Sequence, residues 1–181
     1  RGQEDFASLA GRTPQTHGEH YKYAGNYLEL FQLMKNHVPA YKLEAPKLLK
    51  LLLFNYLFSN GDAHLKNFSL LETDWGDYRL SPAYDLLNSR IHISDRDFAL
   101  DDGLLPPHLA QGKIREQFLV LAEQAEIEKK IYQELIESIL LGAPQVEKLI
   151  AASFCTSVID FNHKPLRSFG IKYQLLRSSD S

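Results

Sequence analysis

One cysteine, one methionine and one tryptophan stand in this chain of 181 residues, and its ten glycines are too far apart to spell Gly-x-Gly-x-x-Gly. With Cys155 alone no intramolecular disulfide can form, and the composition suits a reducing compartment. Its setting, Ala-Ala-Ser-Phe-Cys155, is apolar and brings nothing that would lower the thiol's pKa, so a buried, inert thiol is expected. No stretch reaches the roughly eighteen consecutive apolar residues of a membrane-spanning helix, and the amino-terminal Arg-Gly-Gln-Glu-Asp-Phe lacks the layout of a signal peptide. A cytoplasmic protein without a membrane partner is therefore expected. The missing initiator Met suggests a fragment or a processed chain.

Excess charge is missing too. Lys and Arg total 20 against 23 Asp and Glu, and the balance is nearly even in both halves of the chain. No polyanion-binding surface is announced. Lys164, Arg167, Lys172 and Arg177 form a sparse excess near the carboxy terminus, which reads as a solvated tail and gives no strong signal for direct nucleic-acid binding. Hydrophobic residues at 44% and charged residues at 24% are ordinary for a folded globular body.

The pattern along the chain is mostly helical. Gln3 to about Leu9 has a short helical pattern, and Gly11 to Gly25, rich in Gly, His, Thr and Pro, reads as a loop. Tyr27, Leu28, Leu30, Phe31 and Met34 recur at helical spacing, with Asn26 suited to cap the start and Pro39 marking the end. A second helix is expected to begin near Ala45-Pro46 and run to Phe58, apolar almost all round beyond Lys50, as befits the centre of a domain. It delivers the chain to Ser59-Asn60-Gly61, a turn signal. Phe68–Thr73 and Tyr78–Leu80 read as two strands joined by the hairpin turn Asp74-Trp75-Gly76-Asp77. A long loop from Arg90 to His108 is expected, with a short strand at Phe98 to Leu100. Helices follow at about Gly112 to Gln124, Glu126 to Leu141, ended by Gly142, and Pro144 to Ser157. The fold expected is mainly α with a small β-hairpin, as one unit over residues 1–181.

The informative segment is Asn60-Gly61-Asp62-Ala63-His64-Leu65-Lys66-Asn67, followed eighteen residues past Asn67 by Pro82-Ala83-Tyr84-Asp85. Phosphoryl transfer needs a carboxylate beside the attacking hydroxyl and oxygen ligands that hold Mg²⁺ against the phosphates of ATP. Asp62 is the candidate base. Asn67 offers a side-chain carbonyl to the metal without adding charge, and Asp85 offers an anionic ligand. Because these halves flank a hairpin, antiparallel pairing brings Asn67 and Asp85 to the same end of it. The bland alternative is an Asn-Gly turn with an Asp capping nearby backbone. Asp97-Phe98-Ala99 looks like a metal motif, but its charged surroundings favour a strand with an exposed Asp. Asp101-Asp102-Gly103 reads as a turn.

Buried helix, loop with Asp and Asn, hairpin and second Asp are the layout of a protein kinase's catalytic half. In finer spelling the sequence resembles the HipA family of bacterial serine/threonine kinase toxins. Asn-Gly-Asp62-Ala-His64-Leu-Lys66-Asn67-Phe-Ser and Ser-Pro-Ala-Tyr84-Asp85 look like that family's catalytic and metal-binding motifs. Gln3-Glu4-Asp5-Phe6 and Lys22-Tyr23 resemble its entry into the carboxy-terminal lobe. The resemblance implies a protein-kinase-like C-lobe, with Asp62 as proton acceptor, Asn67 and Asp85 as Mg²⁺ ligands, and His64 to Asn67 with Tyr84 lining the nucleotide. Two readings stand for His64, which either meets ATP or holds a backbone carbonyl, and for Tyr84, which either lines the nucleotide or packs beneath the metal site. Lys66 is read as a cation beside the phosphates, where it offsets charge developing in transfer.

The same resemblance implies a protein substrate in the translation machinery, typically an aminoacyl-tRNA synthetase, and a DNA-binding antitoxin as partner. Since no Gly-rich loop is present, the amino-terminal lobe that grips ATP is expected in cis on a longer chain or from another polypeptide. Asp-x-His-x-x-Asn also resembles phosphoinositide kinases, so a lipid or small-molecule kinase is an alternative. A non-catalytic module that docks an antitoxin or partner lobe is another, although a complete metal set is more than docking needs.

Overall fold

The computed structural model describes residues 2–86 and 97–156, and the side chains near the end of the last helix lie outside that description. The side chain of Cys155, the tail cations Lys164, Arg167, Lys172 and Arg177, and the Arg90 end of the expected long loop lie outside the described residues. In chain order the elements are β1 (Gln3–Asp5), α1 (Phe6–Leu9), α2 (Pro14–His17), a 3-10 turn (Tyr21–Tyr23), α3 (Leu28–His37), α4 (Tyr41–Leu57), a 3-10 turn (Leu65–Asn67), β2 (Ser69–Glu72), β3 (Tyr78–Leu80), α5 (Ile114–Gln124) and α6 (Lys129–Thr156). About half of the chain is helical. Among the described residues no helix is long and apolar enough to cross a membrane.

The α3 and α4 helices form the centre. Leu28, Leu30, Phe31 and Met34 line the buried face of α3, and Leu48, Leu49, Leu52, Leu53, Tyr56 and Leu57 make α4 apolar over most of its surface. Burying one such side chain is worth about 1.5–3 kcal/mol, so this layer dominates the stability. Phe98, Tyr56 and Phe118 continue it as an aromatic cluster, with Tyr56 stacked on Phe98 at 5.5 Å and Phe118 edge-on to both.

Long-range contacts set several boundaries. The α4 helix starts at Tyr41, ahead of the expected Ala45-Pro46, and accommodates Pro46 inside it. Proline removes one helical hydrogen bond there. Partners from elsewhere hold the first turn: the Tyr41 hydroxyl donates to the Ala125 carbonyl at 2.7 Å, and the buried Glu44 carboxylate accepts from the Leu80 amide at 3.1 Å. Burial pushes the Tyr41 phenol up to about 12, which keeps it a donor. Asn26 does not cap α3. The Tyr27 and Leu28 amides donate instead to the carbonyls of Gly103 and Leu104 at 3.0 and 3.1 Å, while Asn26 donates to Glu29.

The sheet has three antiparallel strands in the order β1-β2-β3, one more than the expected hairpin. Part of the expected amino-terminal helix is β1, which pairs Asp5 with Ser69, while β2 pairs Leu70 with Leu80. Three residues are too few to display a period of two, so only the distant partner defines this strand. The loop expected between Gly11 and Gly25 contains α2, closed by reciprocal hydrogen bonds between Thr13 and Thr16, and the 3-10 turn. Phe98 to Leu100 is not a strand. That segment bends, and the next two amides, of Asp101 and Asp102, donate to the Tyr23 and Gly25 carbonyls at 2.9 and 3.0 Å.

After α5, the helices expected on either side of Gly142 are one, α6, which runs through Gly142 and Pro144. Gly142 has open space around its Cα and no left-handed backbone. Gly142→Ala is therefore expected to raise stability by about 0.5–1 kcal/mol in denaturant unfolding. A loss on substitution would mean that the helix ends at Gly142.

Candidate active site

The end of α4 feeds a loop that is mostly buried yet neither helix nor strand. At the turn the left-handed residue is Ser59, with φ 57°, and not Gly61 of the expected Asn-Gly signal. Asn60 is buried and bridges two places: its amide nitrogen donates to Asn55 Oδ1 at 3.1 Å and to the Asp85 carbonyl at 3.3 Å. Below it, the Tyr27 hydroxyl donates to the Ala63 carbonyl at 2.7 Å in a buried contact. Burial drives the Tyr27 phenol far above its ordinary pKa, so the bond keeps its proton.

Asn67 closes the loop. Its Oδ1 accepts from the His64 amide at 2.9 Å, while the Asn67 amide donates to the His64 carbonyl at 2.9 Å. Its Nδ2 donates to Asp85 Oδ2 at 2.7 Å. The structure thus brings Asn67 and Asp85 into direct contact across the start and end of the hairpin. Asp85 is exposed and has a left-handed backbone, with φ 58°, an uncommon conformation for a residue other than glycine that Asp and Asn tolerate best. Such strain clusters where side-chain placement matters to function.

Asp62 is exposed, and its Oδ1 accepts from the Tyr23 hydroxyl at 2.9 Å. Burial first, and the Asp62 hydrogen bond second, raise the Tyr23 pKa, so the phenol stays a neutral donor. His64 is buried. Its Nε2 lies 3.0 Å from Lys22 Nζ, and its ring stands edge-on to Tyr23 at 5.4 Å. Burial, followed by the Lys22 ammonium, lowers the His64 pKa and leaves the imidazole neutral near pH 7.

The remaining expected residues brace the loop. Lys66 is partly exposed and pairs with Asp5 at 3.5 Å, the leading cause of its raised pKa. The Tyr84 hydroxyl donates to the Lys66 carbonyl at 2.9 Å and approaches Ser69 Oγ at 3.2 Å, and burial is the main cause of its raised pKa. Asp97, set aside as a metal motif, is exposed in a bend.

Sequence reasoning gave no role to Tyr23 beyond resemblance, and none to Asn60 or Ser69. Ser69 joins β1, β3 and Tyr84: it accepts from Gln3 Nε2 at 2.7 Å, lies 2.9 Å from Ser81 Oγ and meets the Tyr84 hydroxyl. Tyr23, Asn60 and Ser69 stand within the quoted motifs, Asn60 as part of a turn signal, but the distant partners that give them these tasks leave no local mark.

The donor set suits a magnesium ion. Among the described residues no hydrogen bond takes Asp85 Oδ1 or the second lone pair of Asn67 Oδ1, and Mg²⁺ typically takes one or two protein carboxylates plus waters and phosphate oxygens. Among the described residues no cluster of three or more His, Cys, Asp or Glu forms a metal cage.

The HipA-like C-terminal domain family profile matches residues 1–146. Two Sinorhizobium fredii proteins are similar. One, named "Putative kinase Y4dM", is 31% identical over 128 residues, which cover 71% of this chain and 30% of that protein. The other, named "Putative kinase Y4mE", is 36% identical over 91 residues, which cover 48% of this chain and 20% of that protein. The chain thus spans less than a third of the length of these relatives. Among solved structures, a chain of the Shewanella oneidensis MR-1 toxin–antitoxin complex of HipA, HipB and operator DNA is similar in fold. Its TM-score is 0.54 at 22% identity, over 84% of this chain and 34% of that one.

Tyr27→Phe removes one donor and leaves the buried Ala63 carbonyl unpaired. The expected loss is about 1–3 kcal/mol in global stability, with faster hydrogen exchange in the amides of residues 62–67. Unchanged exchange there would show that the loop does not depend on this bond.

Proposed function

Because the chain belongs to the HipA-like C-terminal domain family, we propose that it is the base-and-metal lobe of an ATP-dependent serine/threonine protein kinase. The observation that carries this reading is the Asn67–Asp85 contact at 2.7 Å, which joins the two candidate metal ligands across the hairpin. The names of the Sinorhizobium relatives agree with it.

In this mechanism Asp62 accepts a hydrogen bond from the acceptor hydroxyl, aims that oxygen and takes its proton as the bond to phosphorus forms. Tyr23 holds Asp62 Oδ1 until the acceptor arrives. Asn67 and Asp85 would hold Mg²⁺, with Asn67 fixed from behind by the His64 amide. When bound, Mg–ATP supplies the transferable phosphoryl group and a cation that offsets its charge. Tyr84 and Tyr27 keep the loop from shifting while the base works.

The lobe that grips the triphosphate is proposed to come from outside this chain, in cis or from another polypeptide, consistent with how much longer the relatives are. The acceptor is proposed to be a protein Ser or Thr, in the translation machinery by family resemblance. A DNA-binding antitoxin is the proposed partner, on the ground that the similar solved chain lies in a complex with HipB and operator DNA.

Two variants of the complete protein test the roles. Asp62→Ala is expected to lower phosphate transfer by about 10²–10⁴-fold while ATP affinity stays nearly intact. Undiminished transfer removes Asp62 from the mechanism. Asp85→Ala is expected to abolish the Mg²⁺-dependent part of nucleotide binding in calorimetry. Equal binding by this variant and the parent favours a docking module over an enzyme.

A further inference from the structure

We propose that Lys22 is the cation that meets the phosphoryl group being transferred, and that His64 is a positioning residue that aims it. The inference rests on the kinase reading above. It starts from how the lysines are occupied. Lys66, the cation expected beside the phosphates, pairs with Asp5, and Lys47 pairs with Glu44. Among the described residues no carboxylate lies in ion-pair range of Lys22. Its Nζ meets His64 Nε2 at 3.0 Å and stands 5.0 Å from the centre of the Tyr23 ring.

An ammonium carries donors only, so Nε2 must accept and the imidazole proton must sit on Nδ1. A neutral imidazole orients the ammonium without cancelling its charge. Lys22 is half-buried, and an uncharged partner leaves the other donors of its ammonium for an anion. Burial fixes the ring that holds this cation. His64 is 8% exposed, and its Nδ1 is buried with no hydrogen-bond partner among the described residues. Buried polar atoms are normally paired, and Nε2, through the Lys22 ammonium, makes this ring's hydrogen bond among the described side chains.

Position ties this cation to the chemistry. Tyr23, next in sequence to Lys22, binds Asp62 through its hydroxyl and touches His64 through its ring. One contiguous cluster therefore contains the candidate base and, among the described residues, a cation with no carboxylate partner that rests on a neutral imidazole. During transfer the acceptor hydroxyl loses its proton to Asp62, its oxygen forms the new bond to the terminal phosphorus of ATP, and the bond from that phosphorus to the bridging oxygen breaks to release ADP. Lys22 offsets the charge on the moving group, a task suited to a compact ammonium.

Lys22→Met and Lys22→Arg in the complete protein test this, with affinities for Mg–ATP and for adenosine measured by calorimetry alongside turnover. Lys22→Met is expected to lose about tenfold or more in ATP affinity or in kcat, the scale of one charge-assisted hydrogen bond, with adenosine affinity unchanged. Lys22→Arg should recover part of that loss, and His64→Ala should move the same quantity in the same direction. If Lys22→Met keeps parental ATP affinity and kcat, the proposal is overturned. If it weakens adenosine and ATP equally, Lys22 is a structural residue and the proposal is again overturned. A parent protein that binds adenosine and ATP alike, with no gain from Mg²⁺, overturns the kinase reading itself.

Discussion

A peptide group carried into an apolar interior has to be paired there, at a cost of about 1–3 kcal/mol if it is not. That constraint governs the loop after α4. Backbone bonds serve only part of residues 59–64, most of which are buried: the Ser59 and Asn60 amides return to the Tyr56 and Asn55 carbonyls of α4, and the His64 amide reaches the Asp62 carbonyl. Side chains supply further partners: the Tyr27 hydroxyl, from the start of α3, for the Ala63 carbonyl, and the Asn67 amide oxygen for the His64 amide. Loop, α3 and hairpin are therefore one cooperative unit. None can be displaced without stranding polar groups in another. This is how an irregular segment gains the rigidity needed to hold a carboxylate at a fixed place.

The same wiring separates two carboxylates that begin as chemical equals. Asp85 receives the Asn67 amide on one oxygen, and the proposed cation would take the other. Asp62 receives a phenol, a neutral donor that a substrate hydroxyl can replace on equal terms. Cations divide likewise. Lys66 is tied to the β1–α1 junction through Asp5, while Lys22 leans on an uncharged ring.

The parts legible in the sequence were those carried by long, strongly patterned segments. The apolar stripe of α3, the nearly uniform α4 and the alternation of β2 and β3 about the Asp74 to Asp77 turn all have local causes. From these the meeting of Asn67 and Asp85 followed by antiparallel geometry alone. Beyond local reach lay β1, whose three residues become a strand only against Ser69–Leu71, and the start of α4, held by Ala125 and Leu80. Gly142 and Pro144 misled because propensity is weak beside the tertiary packing of a long helix. At the site, Asp62 and Asn67 stood out by residue type and spacing. The service of Tyr23, Asn60 and Ser69 was invisible, since nothing near a Tyr or Ser in sequence tells which distant oxygen it will find.

The left-handed backbone at Asp85 bears on how this protein can age. Few side chains tolerate that conformation, chiefly Gly, Asn and Asp, and of these only Asp carries a charge. A lineage released from selection for chemistry would thus drift at this position toward Asn or Gly first, the replacements the backbone accepts most readily. Both would take the carboxylate out of the proposed metal site while sparing the body around it. Decayed copies of such a gene are then expected to persist as well-folded proteins, available for new work as binding partners, and the neutral residue at position 85 would be their mark.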